Sequence, residues 1–98
     1  MTMYVRLITF HLEPGMYKTA EKLADRFAPI LRARRGLITA IFFVNDAAGE
    51  YGALTIWESK EDVEVEATIV IPRLQDALAG ISAAPPLIRL YEVYEPQT

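Results

Sequence analysis

Residues 37–44 read Leu37-Ile38-Thr39-Ala40-Ile41-Phe42-Phe43-Val44, and the fold follows from how this stretch meets water. A β-strand sends successive side chains to opposite faces, so Leu37, Ile41 and Phe43 point one way while Ile38, Ala40, Phe42 and Val44 point the other. Neither set is fit for water. A strand apolar on both faces belongs to a sheet covered on both sides, and the two helical segments of this chain can cover only one side of a four-stranded sheet. The other side needs a partner, most simply a second copy of the chain. The sequence therefore predicts a homodimer joined through the open sheet face.

Working outward, Met3 to His11 alternates as a strand, with Val5, Leu7, Thr9 and His11 on one face and Tyr4, Arg6, Ile8 and Phe10 on the other. Glu13-Pro14-Gly15 breaks it. From Met16 to Arg34 the period becomes helical, and Tyr17, Ala20, Leu23, Ala24, Phe27, Ile30 and Leu31 form one stripe. Pro29 is expected to kink this helix, and Gly36 to end it in a left-handed conformation. Asn45 to Gly49 reads as a hairpin loop leading into a third strand, Glu50 to Glu58.

Ser59-Lys60-Glu61-Asp62 resembles a capping box, in which the Ser59 hydroxyl accepts from the backbone near Asp62. Val63, Ala67, Val70, Leu74, Leu78 and Ile81 continue at helical spacing. The β-branched run Thr68-Ile69-Val70-Ile71 stands directly before Pro72, which predicts a bend or break near Ile71 and a second helical piece ending near Gly80. Leu87 to Tyr94 is the last strand. The order βαββαβ is the ferredoxin-like α+β pattern. It implies a four-stranded antiparallel sheet in spatial order 4-1-3-2 with both helices on one side, and residues 1–98 forming a single domain. Stacking the bare side on its twofold mate gives a dimeric α+β barrel.

Composition narrows the function classes. Hydrophobic residues make up 52% of the 98 and charged ones 23%, as in a compact domain rather than a disordered chain. A net charge of −3 offers no basic footprint for a nucleic-acid backbone. The chain contains no cysteine and one histidine, so thiolate metal sites are excluded and His11 alone makes a poor metal ligand set. No glycine-rich phosphate loop is present, and neither haem, flavin nor tightly bound metal is expected. The N-terminus lacks the pattern of a signal peptide and no apolar stretch approaches membrane-spanning length, which sets the expectation of a cytoplasmic protein with no membrane partner.

Several polar residues stand in apolar surroundings. Arg6 and Arg89 each sit inside an apolar strand, where a charge must be paired or reach water. Glu92 or Glu58 is the expected partner for one of them, and either arginine would also suit the clamping of a ligand carboxylate or phenolate. Trp57 ends a strand. It either closes the core where strand meets helix or lines a ligand cavity, with Ala53 and Thr55 on the same face. Arg32, Arg34 and Arg35 fall at the end of the first helix, where cations complement the dipole.

The run Leu54-Thr55-Ile56-Trp57-Glu58-Ser59-Lys60-Glu61-Asp62, together with Arg34-Arg35-Gly36-Leu37 and Leu12-Glu13-Pro14-Gly15, resembles the antibiotic-biosynthesis monooxygenase-like family of dimeric α+β barrels. That resemblance implies cofactor-independent oxygenation of an aromatic or quinone-like compound, the substrate itself supplying electrons to oxygen. Members with this chemistry place a tryptophan at the position of Trp57, an asparagine four residues earlier and an arginine in the later helical region. Here the asparagine position holds Ala53, and Arg73 lies nearest the arginine's region. Haem-degrading relatives use a second-helix histidine, absent here, and a first-strand asparagine, where this chain has Ile8. The resulting candidate ligand-binding set is Trp57, Thr55, Arg6 and Arg73, around a pocket between Trp57 and the second helix for a small aromatic ligand. A non-catalytic dimeric binding or accessory domain is the alternative, favoured by Ala53.

Overall fold

A computed structural model describes residues 2–97. Strand β1 (Tyr4–His11) leads into helix α1 (Tyr17–Arg32), and strands β2 (Leu37–Asn45) and β3 (Glu50–Trp57) follow as a hairpin. Helix α2 (Lys60–Leu78) and strand β4 (Leu87–Glu92) complete the order βαββαβ. The sheet is antiparallel with order β2-β3-β1-β4, which is the expected ferredoxin-like arrangement read from the other edge.

Register sorts the side chains. Arg6 stands opposite Thr55, Ile8 opposite Ala53 and Phe10 opposite Tyr51, and directly opposed residues share a face. This is the helix-covered side, where Arg6, Ile8, Phe10, Tyr51, Thr55 and Trp57 are all buried. Val5, Leu7, Leu54 and Ile56 occupy the other side, half-buried, and Ile41 and Phe43 stand there exposed.

Leu37 departs from the expected pattern. A bulge lies between Leu37 and Thr39, so that Leu37 opposes Trp57 while Thr39 opposes Ile56. The extra residue shifts the alternation by one, and Leu37 joins Ala40, Phe42 and Val44 on the helix side instead of Ile41 and Phe43. Ile38 is the inserted residue and is exposed.

The hairpin connection is a short 3-10 turn, Asp46–Ala48, in which the Asn45 side chain accepts from the Ala48 amide at 3.3 Å. Gly49 closes it at φ 65°, and a side chain there would also collide with the Leu12 carbonyl. The Ser59 cap of α2 forms as expected, its hydroxyl oxygen accepting from the Asp62 amide at 3.1 Å.

The expected break at Ile71 is absent, and α2 runs through Pro72. Pro72 and Thr68, whose carbonyl loses its donor, are both exposed, so water can satisfy that carbonyl and the helix survives. Pro29 is likewise inside α1, exposed together with Asp25 one turn earlier. Helix α1 ends at Arg32, before Gly36. Gly36 keeps φ 84° in the following turn, where its Cα packs against the Asp62 side chain.

Strand β4 stops at Glu92, short of Tyr94, and is exposed along its length. Ile88 and Leu90 oppose Ile8 and Arg6 on the helix side, yet remain 37% and 40% exposed because the helices lie over the other strands.

Candidate functional site

Strand β1 carries the unusual residue. Arg6 is 2% exposed, and its guanidinium reaches across to α2, where Nη1 and Nη2 donate to Oε1 and Oε2 of Glu66, both at 2.5 Å. Glu66 is 1% exposed. The expected partners Glu92 and Glu58 are not used; Glu92 lies on edge strand β4, and both are exposed. Glu66 was concealed in sequence by its neighbour Ala67, which fits the apolar stripe. Its own spacing from Val63 and Val70 is three and four residues, which places the carboxylate on the buried face of α2. That position was the available signal.

A second chain of contacts holds Arg6 from behind. Trp57 Nε1 donates to Thr55 Oγ1 at 2.8 Å, and the Thr55 hydroxyl donates to the Arg6 carbonyl at 3.4 Å. The guanidinium carbon lies 5.5 Å from the Trp57 ring centroid, within cation–π range. Trp57, Thr55 and Arg6 are thus brought together, but Trp57 and Thr55 are packed behind the guanidinium. Arg73 does not join them: it is exposed on α2, away from this cluster. The space expected between Trp57 and α2 is filled by the Arg6–Glu66 pair.

A cavity of about 220 Å³ lies instead under α1, bounded by the sheet and by the middle of α2. It exists because small side chains face it: Ala20 and Ala24 from α1 and Ala53 from β3. Phe27, Leu31, Val70 and Leu74 form its inner apolar wall, and all four are buried. Tyr17 and Val44, 44% and 48% exposed, mark the side open to solvent, with Glu21 beside them. Arg6 is the one residue of the candidate ligand-binding set that lines the cavity. Its Nε–H has no acceptor among the described residues.

The remaining polar groups on the wall are already engaged or lie at the rim. Tyr51 donates its hydroxyl to Asp46 Oδ1 at 2.8 Å. That hydrogen bond raises the phenol's pKa above its ordinary value, with burial and the charge of Asp46 adding to the effect. His11 is 65% exposed on the opposite sheet face, 3.6 Å from Glu50. Among the described residues, no group of three or more histidine, cysteine, aspartate or glutamate side chains is arranged to hold a metal ion.

No protein-family model matches the chain, and no curated protein matches it. Solved structures do. A protein of unknown function from Nitrosomonas europaea superposes with TM-score 0.83 at 14% identity, covering 100% of this chain and 95% of the other. SnoaB, a cofactor-independent oxygenase from Streptomyces nogalater, gives TM-score 0.75 at 15% identity over 100% and 97%. A monooxygenase from the gene ActVA-Orf6 of Streptomyces coelicolor, solved with the ligand Nanaomycin D, gives 0.73 at 19% over 99% and 92%. Similarity of this kind shows architecture, and activity must come from the site. The ferredoxin-like fold of the antibiotic biosynthesis monooxygenase structures is the fold of this chain.

Proposed function

We propose that this protein binds a small aromatic or quinone-like compound in the cavity under α1. The observation that carries this reading is an apolar cavity of about 220 Å³ with one side open, lined by aromatic and aliphatic side chains and by the buried Arg6. An engineered apolar cavity of about 150 Å³ accepts benzene, whereas drug-sized ligands occupy roughly 300–1,000 Å³. One or two fused rings therefore suit this space. Support comes also from the similarly folded monooxygenase that was solved with a ligand.

The activity we assign to this pocket is cofactor-independent oxygenation, as in the similarly folded SnoaB. A phenol deprotonated at the open side would supply electrons to oxygen held against the apolar inner wall. Glu21 is the carboxylate on that wall without an ion-pair partner among the described residues, and it stands at the rim where a proton can pass to solvent. Ala53 favours the second reading, a binding domain without catalysis, because a methyl group on the cavity wall cannot hydrogen-bond a phenolate or a peroxide.

Oxygen uptake separates the two. Air-saturated protein incubated with 1-naphthol should consume oxygen faster than buffer does and yield 1,4-naphthoquinone, one atom of O2 entering the ring carbon para to the hydroxyl and the other leaving as water with the two hydrogens lost from the substrate. Calorimetric binding without added oxygen uptake would establish the non-catalytic reading, and no binding would remove both.

The protein is proposed to act as a homodimer through its open sheet face. Ile41, Phe43, Leu87 and Tyr91 are exposed there beside half-buried Leu7, Leu54 and Ile56, a surface too apolar to stay solvated. An obligate interface buries about 2,000 Å² or more. Sedimentation at micromolar concentration should give about twice 11.0 kDa, and a stable species of protomer mass would refute the dimer.

A further inference from the structure

We infer that the cavity takes bicyclic aromatic compounds whose polar atoms all lie on one ring, held at the open rim, and turns away those with a polar group at the opposite end. This inference rests on the cavity being the ligand site, and it goes further by fixing where on the ligand polarity is tolerated. Helix α1 runs along the cavity, with Tyr17 at the mouth and Phe27 and Leu31 at the inner end, so each turn of the helix lies deeper. Tyr17 and Phe27 stand ten residues apart, about 15 Å along the helix axis. Between them Ala20 and Ala24 leave the space unfilled. A bicyclic ring system fits lengthwise beside α1, one ring at the mouth and the other inside.

The two ends differ in what they offer a polar atom. At the mouth, Tyr17 and Glu21 are both exposed. Tyr51 directs its hydroxyl to the same end, toward Asp46 of the hairpin connection, and the neighbouring Tyr17 phenol adds to its raised pKa. Water and phenolic groups can serve a ligand hydroxyl there. At the inner end Phe27, Leu31 and Val70 are each 5% exposed or less, and their side chains carry no polar atoms. Arg6 lines this end, opposite Thr55 and far from the hairpin connection. It is 2% exposed, with both terminal nitrogens donating to Glu66, and so presents almost no surface to a ligand. An oxygen pushed to this end loses its water and gains no partner. 1-Naphthol and 1,4-naphthoquinone each carry their oxygen on one ring, so both meet the requirement.

The test compares two isomers built from the same atoms. 2,3-Dihydroxynaphthalene carries both hydroxyls on one ring, at one end of the molecule. 2,6-Dihydroxynaphthalene carries one at each end, and turning it round still leaves one inside. Calorimetry on the full chain under nitrogen, near pH ~7 where phenols keep their protons, should show the 2,6 isomer binding about 5–150-fold more weakly than the 2,3 isomer, as one buried hydroxyl without a partner requires. 6-Methyl-2-naphthol replaces the far hydroxyl by a methyl group of similar size, and should bind at least about fivefold more tightly than the 2,6 isomer. A 2,6 isomer within about fivefold of either comparison compound overturns the one-ended preference, while naphthalene binding in the same series keeps the cavity as a ligand site.

Ala24→Leu tells whether the compounds lie in this cavity. Leucine suits a helix and fills the gap midway along α1, so naphthalene and the 2,3 isomer should each lose at least about tenfold in affinity. Undiminished naphthalene binding to the folded variant, or no naphthalene binding to the wild type, removes the cavity as the ligand site and this inference with it. The wild-type isomer series decides the preference even where the variant fails to fold.

Discussion

Removing Glu66 alone should be among the most damaging single changes this chain can suffer. Arg6 is 2% exposed and Glu66 1%, so Glu66→Leu would strand a positive charge where water cannot reach it. Breaking a buried pair from one side costs about 3–5 kcal/mol. A domain of 98 residues has a total stability of about 5–15 kcal/mol, so about a fifth of it or more is at stake. At roughly 4–8 °C per kcal/mol for a domain of this size, the melting temperature should fall by about 12–40 °C. The double variant Arg6→Met/Glu66→Leu removes both charges and keeps most of the volume. It should recover most of that loss, and replacing a buried pair by apolar groups can be neutral or stabilising.

The recovery will be incomplete to the extent that Arg6 also sits 5.5 Å from the Trp57 ring, a contact worth about 0.5–2 kcal/mol. Urea unfolding at fixed protein concentration, run on the wild type, both single variants and the double variant, gives the coupling energy as a cycle. A coupling below about 1 kcal/mol, or a double variant as unstable as the sum of the singles, would refute the view that the pair is internally compensated.

Three further outcomes follow from the packing. Trp57 is fully buried and does not line the cavity, so Trp57→Ala should cost about 3–5 kcal/mol in denaturant unfolding, while Trp57→Phe costs less; naphthalene affinity lost in the phenylalanine variant at intact stability would contradict this placement. Leu54→Glu puts a charge in the middle of the open sheet face, on β3 opposite Leu7 and Ile41, and should abolish the dimer in sedimentation; an unchanged dimer would exclude that face as the interface. Tyr51 has its folded pKa raised above the ordinary 10.0, so the folded state holds its phenolic proton more tightly than the unfolded chain. The stabilisation is complete below pH 10.0 and is lost as pH rises through the folded value. Tyrosinate absorbance should show one late-titrating phenol that Asp46→Asn shifts downward, and an unchanged titration would rule out the hydrogen bond as its cause.

The architecture was legible because it rests on two periods and a few turn residues. Alternation along β1 put Arg6, Ile8 and Phe10 on one face without help from tertiary structure, and the Ser59 cap was readable from hydroxyl and acid spacing alone. Leu37 was misplaced for a local reason: a bulge adds one residue, and nothing in Leu37-Ile38-Thr39 announces where β2 absorbs it. Pro72 does not break α2, because the cost of an interrupted helix depends on whether the orphaned carbonyl meets water, which is a property of the packed helix and not of the sequence. Arg6 was recognised as a charge in need of a partner. The identity of that partner depended on which α2 residue lies over β1, a contact 60 residues away along the chain.

The resemblance drew attention to Trp57 and Arg73, whereas the polar feature of the cavity is Arg6, backed by Thr55 and Trp57 and tied to Glu66. The chain of contacts from the Trp57 indole through Thr55 to the Arg6 carbonyl fixes the backbone of β1, and the two bonds to Glu66 fix the far end of the same side chain. Held at both ends, the guanidinium cannot move without breaking buried hydrogen bonds. Ala53 has a different physical meaning: on strand β3, one alternation step from Thr55 on the same face, its methyl group leaves the cavity its volume, and a larger residue at that position would fill part of it.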